Sequence, residues 1–191
     1  MTLQVEKHYA KALIELGCEK DIVTSIRNTA ETLLPNLKIP EIVLFLNHPS
    51  VNKNDKKELV QHFLPEDTAR EFINFLHLVI DRNLEKKLVS LIENVIDLAI
   101  QAEGFEIVTL ISARLLSEEE QNILVYDLES RWSTKLFLKY RNNPNLLGGL
   151  IIQRGDKLYD GSLSGQLKKL QEILISETSF DKEGKNHAFI N

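Results

Sequence analysis

The sequence predicts a mainly α fold: an N-terminal six-helix bundle over residues 1–104, a small α/β domain over 105–176 and a loose polar tail over 177–191. Three observations carry that expectation. Leu84, Leu88, Leu91, Ile92, Val95, Ile96, Ala99 and Ala102 hold one apolar stripe at helical spacing for about five turns. At Phe105 the period changes from helical toward strand. The run Leu146-Leu147-Gly148-Gly149-Leu150-Ile151-Ile152 then leads through a Gly155-Asp156 turn and a short second strand to Asp160-Gly161-Ser162, which opens a helix.

Each element has its own local reason. Residues 3–17 place Val5, Tyr9, Ala12, Leu13 and Leu16 on one helical face, with Gly17 as a candidate stop. Residues 21–34 repeat the pattern with Ile22, Ile26, Ala30 and Leu33, and Pro35 is expected to end it. Pro40 can start a short helix through Leu46, closed by His48-Pro49. Residues 53–63 carry Leu59, Val60 and Phe63 behind a charged first turn. Thr68 and Glu71 have capping-box spacing, and the helix they open would bury Phe72, Phe75, Leu76, Val79 and Ile80. The long stripe follows, with Gly104 as its stop.

Beyond Gly104, Glu106 to Ile111 is rich in β-branched residues and reads as a strand. Ser117 with Glu120 caps a helix through about Trp132. Leu136, Leu138 and Tyr140 alternate with Lys135, Phe137 and Lys139 in a half-buried strand. Asn142-Asn143-Pro144-Asn145 is a turn, strands 146–154 and 157–160 flank Gly155-Asp156, and a last helix puts Leu163, Leu167, Leu170 and Leu174 on one side.

Composition narrows the function. The 191 residues are 43% hydrophobic, enough for packed cores. A net charge of −5 disfavours a sequence-independent nucleic-acid binder, which needs clustered cations to displace counterions. One cysteine, Cys18, permits neither an internal disulfide nor a cysteine-based zinc site, which points to a reducing compartment. The start has no apolar run behind a basic flank, and no run approaches the length that crosses a bilayer, so service to a membrane would be by docking.

Covalent chemistry has few candidates. Asp156, Asp160 and Ser162 could belong to a small hydrolase-like α/β enzyme, but a serine nucleophile needs a base in reach. The histidines (His8, His48, His62, His77 and His187) belong to other elements. The competing reading is a helix cap, with Gly161 in a conformation closed to bulkier residues. Gly148-Gly149 leads into a strand rather than a helix N-terminus, so it reads as a bend or close backbone approach rather than a phosphate cradle. No histidine pair has metal-ligand spacing, His77 reads as a packing residue, and neither metal nor cofactor is expected. Lys53, Lys56 and Lys57 alternate with acids and read as a solvated helix start. Ala10 and Ile14 beside the first stripe, and Ile73 and Leu78 beside the fifth, are apolar surplus. They could form a groove for a foreign helix or be buried inside the bundle.

Several motifs together resemble the delta subunit family of F-type ATP synthase, whose mitochondrial member is the oligomycin-sensitivity-conferring protein. Tyr9-Ala10-Lys11-Ala12-Leu13 is similar to its first-helix motif, and Asp81-Arg82-Asn83-Leu84 to the polar link before its sixth helix. Ser117-Glu118-Glu119 resembles the start of its C-terminal helix. Asn143 through Gly149 and Gly155 through Ser162 resemble its terminal signature, with Gly148, Gly149, Gly155, Asp156, Asp160, Gly161 and Ser162 in structural roles. His8 and Asn143 depart from the customary Arg and Asp.

The resemblance implies a non-catalytic stator subunit that resists rotor torque during proton-driven ATP synthesis. The bundle would grip the N-terminal helix of an alpha subunit between its first and fifth helices, through Tyr9, Ala10, Leu13, Leu76 and Ile80. The smaller domain would hold the C-terminal helices of the peripheral-stalk b subunits. Torque demands slow dissociation, hence nanomolar affinity or tighter, about −12 kcal/mol. The implied location is the cytoplasmic face of a bacterial inner membrane, or the stromal face of a thylakoid if plastid-encoded, reached only through the complex.

Overall fold

The computed structural model describes the backbone of residues 3–170 and the side chains of residues 6–170. The protein is mainly helical with a small four-stranded sheet, and it divides into two compact units between Glu106 and Ile107. The first unit holds α1 (Leu3–Glu19), α2 (Val23–Leu37), α3 (Pro40–Asn47), α4 (Lys53–His62), α5 (Arg70–Asp81) and α6 (Leu88–Ala102). The second holds β1 (Glu106–Ser112, its first residue at the boundary), α7 (Glu118–Trp132), β2 (Leu136–Asn142), β3 (Leu150–Arg154) and β4 (Lys157–Asp160). Helix α8 is described over residues 163–170. The expected place of Leu174 and the tail lie outside the described residues.

In the first unit α6 is the central element and packs against α1 and α2, while α4 packs on α5. The stripes of α5 and α6 fall where helical spacing puts them: Phe72, Leu76, Ile80, Leu91, Ile92 and Val95 are all essentially sealed from solvent. Ala102, the last residue read into the long stripe, is exposed. Burying each large side chain of this kind contributes roughly 1.5–3 kcal/mol.

Helix ends depart from the sequence expectation, each for a local reason. Gly17 does not stop α1, which runs on to Glu19. It instead lets α2 approach, since a Cβ there would stand 2.9 Å from Ile26 Cδ1. Pro35 does not stop α2 but lies inside it. Leu37, two residues on, is buried, which offsets the hydrogen bond that proline cannot donate. The Thr68–Glu71 capping box does not form. Thr68 Oγ1 donates to Pro65 O at 2.7 Å, Glu71 takes Lys20 Nζ at 2.5 Å, and Ala69 occupies the cap. The long helix expected from Leu84 opens instead with a 3-10 turn at Glu85–Lys87, and α6 proper starts at Leu88. Gly104 does act as the stop, at φ +87°.

The sheet runs β2-β1-β3-β4, with β1–β3 and β3–β4 antiparallel. In register, Leu110 faces Ile152 and Ile152 faces Tyr159. Val108, Leu128 and Leu136 form the core of this unit, with Trp132, Leu138 and Ile152 packed on it. The Ser117–Glu120 capping box forms in full at the start of α7. Strand β3 begins at Leu150 rather than 146: Pro144–Leu146 is a 3-10 turn, and Leu147 takes φ +60°, which no strand accommodates. On β2 the expected alternation is blurred, with Leu136 buried, Phe137, Leu138 and Lys139 half-buried and Tyr140 exposed.

Candidate functional site

The Asp-Gly-Ser corner is a cap. Asp160 Oδ1 accepts from both Ser162 N at 2.8 Å and Ser162 Oγ at 2.6 Å. Ser162 Oγ in turn accepts from Gly165 N at 3.0 Å, satisfying an otherwise orphaned donor in the first turn of α8. The Ser162 hydroxyl and then its N–H hold the Asp160 carboxyl below the usual carboxylate range, so it is a poor base. Ser162 is 1% exposed. The described histidines, His8, His48, His62 and His77, all lie in the first unit, and His187 lies outside the described residues. The hydrolase reading of Asp156, Asp160 and Ser162 therefore has no support.

Gly148 and Gly149 lock onto this cap through the backbone. Gly161 N donates to Leu150 O and Leu163 N donates to Gly148 O, each at 3.0 Å. Gly149 sits at φ +73°, and a Cβ there would fall 2.2 Å from Gly161 O. No side chain fits. Gly155, at φ +54°, makes the β3–β4 turn with Asp156. The glycines and the Asp-Gly-Ser run thus form a clasp that fixes where α8 leaves the sheet.

A different surface leaves apolar side chains exposed in a groove. Between α1 and α5 lies a groove of about 250 Å³, lined on one side by Tyr9, Ala12, Leu13 and Leu16 and on the other by Phe75 and Leu78, with Glu71 and Asn74 beside them. Leu16 and Leu78 are 36% and 42% exposed. Of the five residues that the sequence nominates for such a groove, Tyr9 and Leu13 line it. Ala10, Leu76 and Ile80 are at most 1% exposed and are not among its lining residues. Their i, i+4 row belongs to the core; the groove lies on the adjacent row. The off-stripe position of Leu78 was the available signal for that row. The surplus thus divides: Ile14 is buried, Ile73 is half-buried and Leu78 stays at the surface.

The basic turn at the start of α4 also differs from expectation. Lys56 is not solvated: its Nζ lies 2.9 Å from Glu85 Oε1 with both side chains 8% exposed. Lys57 pairs with Asp81 Oδ1 at 2.7 Å and Lys53 Nζ donates to Asp81 O at 2.7 Å. Burial, and then the Lys57 charge, push His77 below the ordinary imidazole range, consistent with a packed, neutral ring. Among the described residues no group of three or more His, Cys, Asp or Glu side chains could hold a metal ion, and no helix is long and apolar enough to cross a membrane.

The chain matches the family described as ATP synthase delta (OSCP) subunit over residues 5–174. It is similar to the ATP synthase subunit delta of Heliobacterium modesticaldum, 31% identical over 179 residues that cover 92% of this chain and 95% of that one. The ATP synthase subunit delta of Brevibacillus brevis is 33% identical over 172 residues, covering 88% and 97%. Among solved structures, a chain of the Toxoplasma gondii mitochondrial ATP synthase hexamer has the same fold, with a TM-score of 0.70 at 21% identity, covering 89% of this chain and 97% of that one. These matches define a structural component of a rotary ATP synthase. The chain belongs to the ATP synthase delta (OSCP) subunit family. Its role is that of a non-catalytic peripheral-stalk stator subunit of F-type ATP synthase, within a membrane-associated complex.

Proposed function

We propose that the first unit works as one six-helix bundle that docks on the catalytic head by seating the N-terminal helix of an alpha subunit in the α1/α5 groove. The observation that carries this reading is the groove itself, with Leu16 and Leu78 exposed on opposite walls. An amphipathic helix laid between them would cover apolar side chains that the bundle leaves in water. Tyr9 adds an aromatic anchor of the type that dominates such interfaces. The second unit, which corresponds to the α/β domain expected over residues 105–176, would hold the C-terminal helices of the b subunits. Leu163, Leu167 and Leu170, each more than half exposed at helical spacing on α8, support that reading. The work is mechanical: the head is held while the rotor turns inside it, on the cytoplasmic face of a bacterial inner membrane.

Calorimetric titration of the full chain with a synthetic peptide of its alpha-subunit N-terminus tests the groove. Saturable binding at submicromolar concentration is expected. Tyr9→Asp and Leu78→Asp should each weaken it by at least about tenfold, roughly 1.4 kcal/mol, with unchanged circular dichroism. No binding at micromolar concentration would remove this reading.

A further inference from the structure

Helix α4 is attached to the first unit mainly by charge. Its principal partner is α5, and among the residues of α4 Val60 is the only apolar side chain that is fully buried. The other fastenings are cations. Lys53 Nζ donates to Asp81 O, Lys57 pairs with the Asp81 carboxylate and Lys56 pairs with Glu85. Three lysines thus face two carboxylates, so the contact already carries an excess of positive charge.

His77 of α5 stands in this cluster. Its Nε2 is sealed from solvent and has no hydrogen-bond partner among the described residues. The charges that act on the ring are Lys57 from α4 and Asp81 one turn along its own helix. Helix α1, which also packs on α5, directs its Lys20 to Glu71, near the opposite end of α5. An imidazolium is a donor at both nitrogens, so a proton taken up here leaves a buried N–H without an acceptor. It also places a second cation beside Lys57, and Asp81, the anion in reach, is already paired.

We propose that His77 is an acid sensor that sets how firmly α4 is held on α5, so that taking up a proton there loosens α4 from the rest of the first unit. Once α4 moves away, water reaches the ring and Lys57 leaves it. Protons therefore bind the detached form more tightly and shift the population toward it. Burial, and then the Lys57 charge, lower the value of the attached state. The attachment is thus at full strength above the ordinary imidazole value and weakens as pH falls below it. The Lys57–Asp81 pair is not itself titrated in that range, because the hydrogen bond from Lys57 holds the Asp81 carboxyl below its usual value. Nor does His62, in the last turn of α4, account for the loss, since a positive charge at a helix C-terminus favours the helix.

Amide hydrogen exchange of the full chain, corrected for the intrinsic rate, tests this at about pH 7 and about pH 5. Residues 53–62 should exchange at least about threefold faster at the lower pH while α6 is unchanged. His77→Phe should remove the difference, and replacing His8, His48 and His62 together by Asn should leave it intact. An NMR titration of the His77 ring gives a second readout: Lys57→Gln should move its midpoint upward. The proposal is overturned by unaltered exchange at residues 53–62, by equal acceleration in α4 and α6, or by an undiminished response in His77→Phe. A His77 midpoint that Lys57→Gln leaves in place or lowers would overturn it as well.

Discussion

Helices α5, α6 and α8 carry the same apolar periodicity but meet different fates. In α5 and α6 the stripe from Phe72 through Ile80 and from Leu88 through Ile100 is buried. On α8, Leu163, Leu167 and Leu170 stand at the same spacing and remain more than half exposed. The second unit also leaves Leu115, Ile123, Tyr126 and Leu147 in solvent around a core of Val108, Leu128 and Leu136. A helical apolar period identifies a face that calls for cover; it does not say whether the cover comes from the same unit. Among the described residues the first unit supplies most of its own, whereas the α8 face in the second is left exposed.

The largest expected effect sharpens that contrast. Phe72→Ala should cost about 3–5 kcal/mol, since Phe72 is completely buried. Trp132 is the only tryptophan and belongs to the second unit, so its fluorescence reports that unit alone. In urea, the far-UV helical transition should move to lower denaturant while the Trp132 transition stays in place. A common shift would mean that the two units unfold as one, and the contrast would fail.

The clasp gives the next effect. Gly149→Ala combines a left-handed backbone with a collision against Gly161 O and should cost about 2–3 kcal/mol, read by the Trp132 transition. Gly104→Ala has a similar φ but nothing within 4 Å of the new methyl group, so it should cost only about 1 kcal/mol. Equal losses would show that backbone conformation alone, without the close approach, accounts for the glycine at 149.

The smallest effect is electrostatic. The Arg114 guanidinium first, and then the Ser117 N–H, lower the Glu120 carboxyl from 4.5 to about 2. A carboxylate with a depressed folded value contributes stability that is present above its unfolded value and lost as pH falls toward the folded one. The Trp132 urea midpoint should therefore decline between pH 4.5 and about 2. Glu120→Gln should flatten that part of the curve; superimposable curves would rule the contribution out.

The core was readable where a single period governs it. Phe72, Phe75, Leu76, Val79 and Ile80 are buried as spacing alone requires. The α7 capping box was equally readable, because Ser117 and Glu120 have no better partners than each other's backbone and Arg114. The box at Thr68 was not, because Lys20, 51 residues away, takes Glu71. Gly17 and Pro35 were misleading for the same reason: Ile26 and the burial of Leu37 decide what those positions tolerate. For the groove, Tyr9 and Leu13 on α1 are lining residues, whereas Ala10 on α1 and both residues expected on α5, Leu76 and Ile80, lie one row too deep. Which row of an amphipathic helix turns inward depends on the neighbour it meets.

The short 3-10 turn before α6 has a consequence for how the first unit bears load. Glu85 reaches Lys56 of α4 on one flank, and Lys87 reaches Glu6 of α1 at 3.3 Å on the other, where Ser90 Oγ also donates to Glu6 at 2.8 Å. Apolar contacts between helices resist sliding only gradually, since one leucine substitutes for the next. A desolvated charge pair does not: displaced by one turn, each ion loses its counter-ion in a medium that cannot hydrate it. The Lys56–Glu85 pair, desolvated on both sides, therefore acts as an indexing pin between this turn and α4, and the partly exposed Lys87–Glu6 pair with the Ser90 hydrogen bond adds a softer tie to α1.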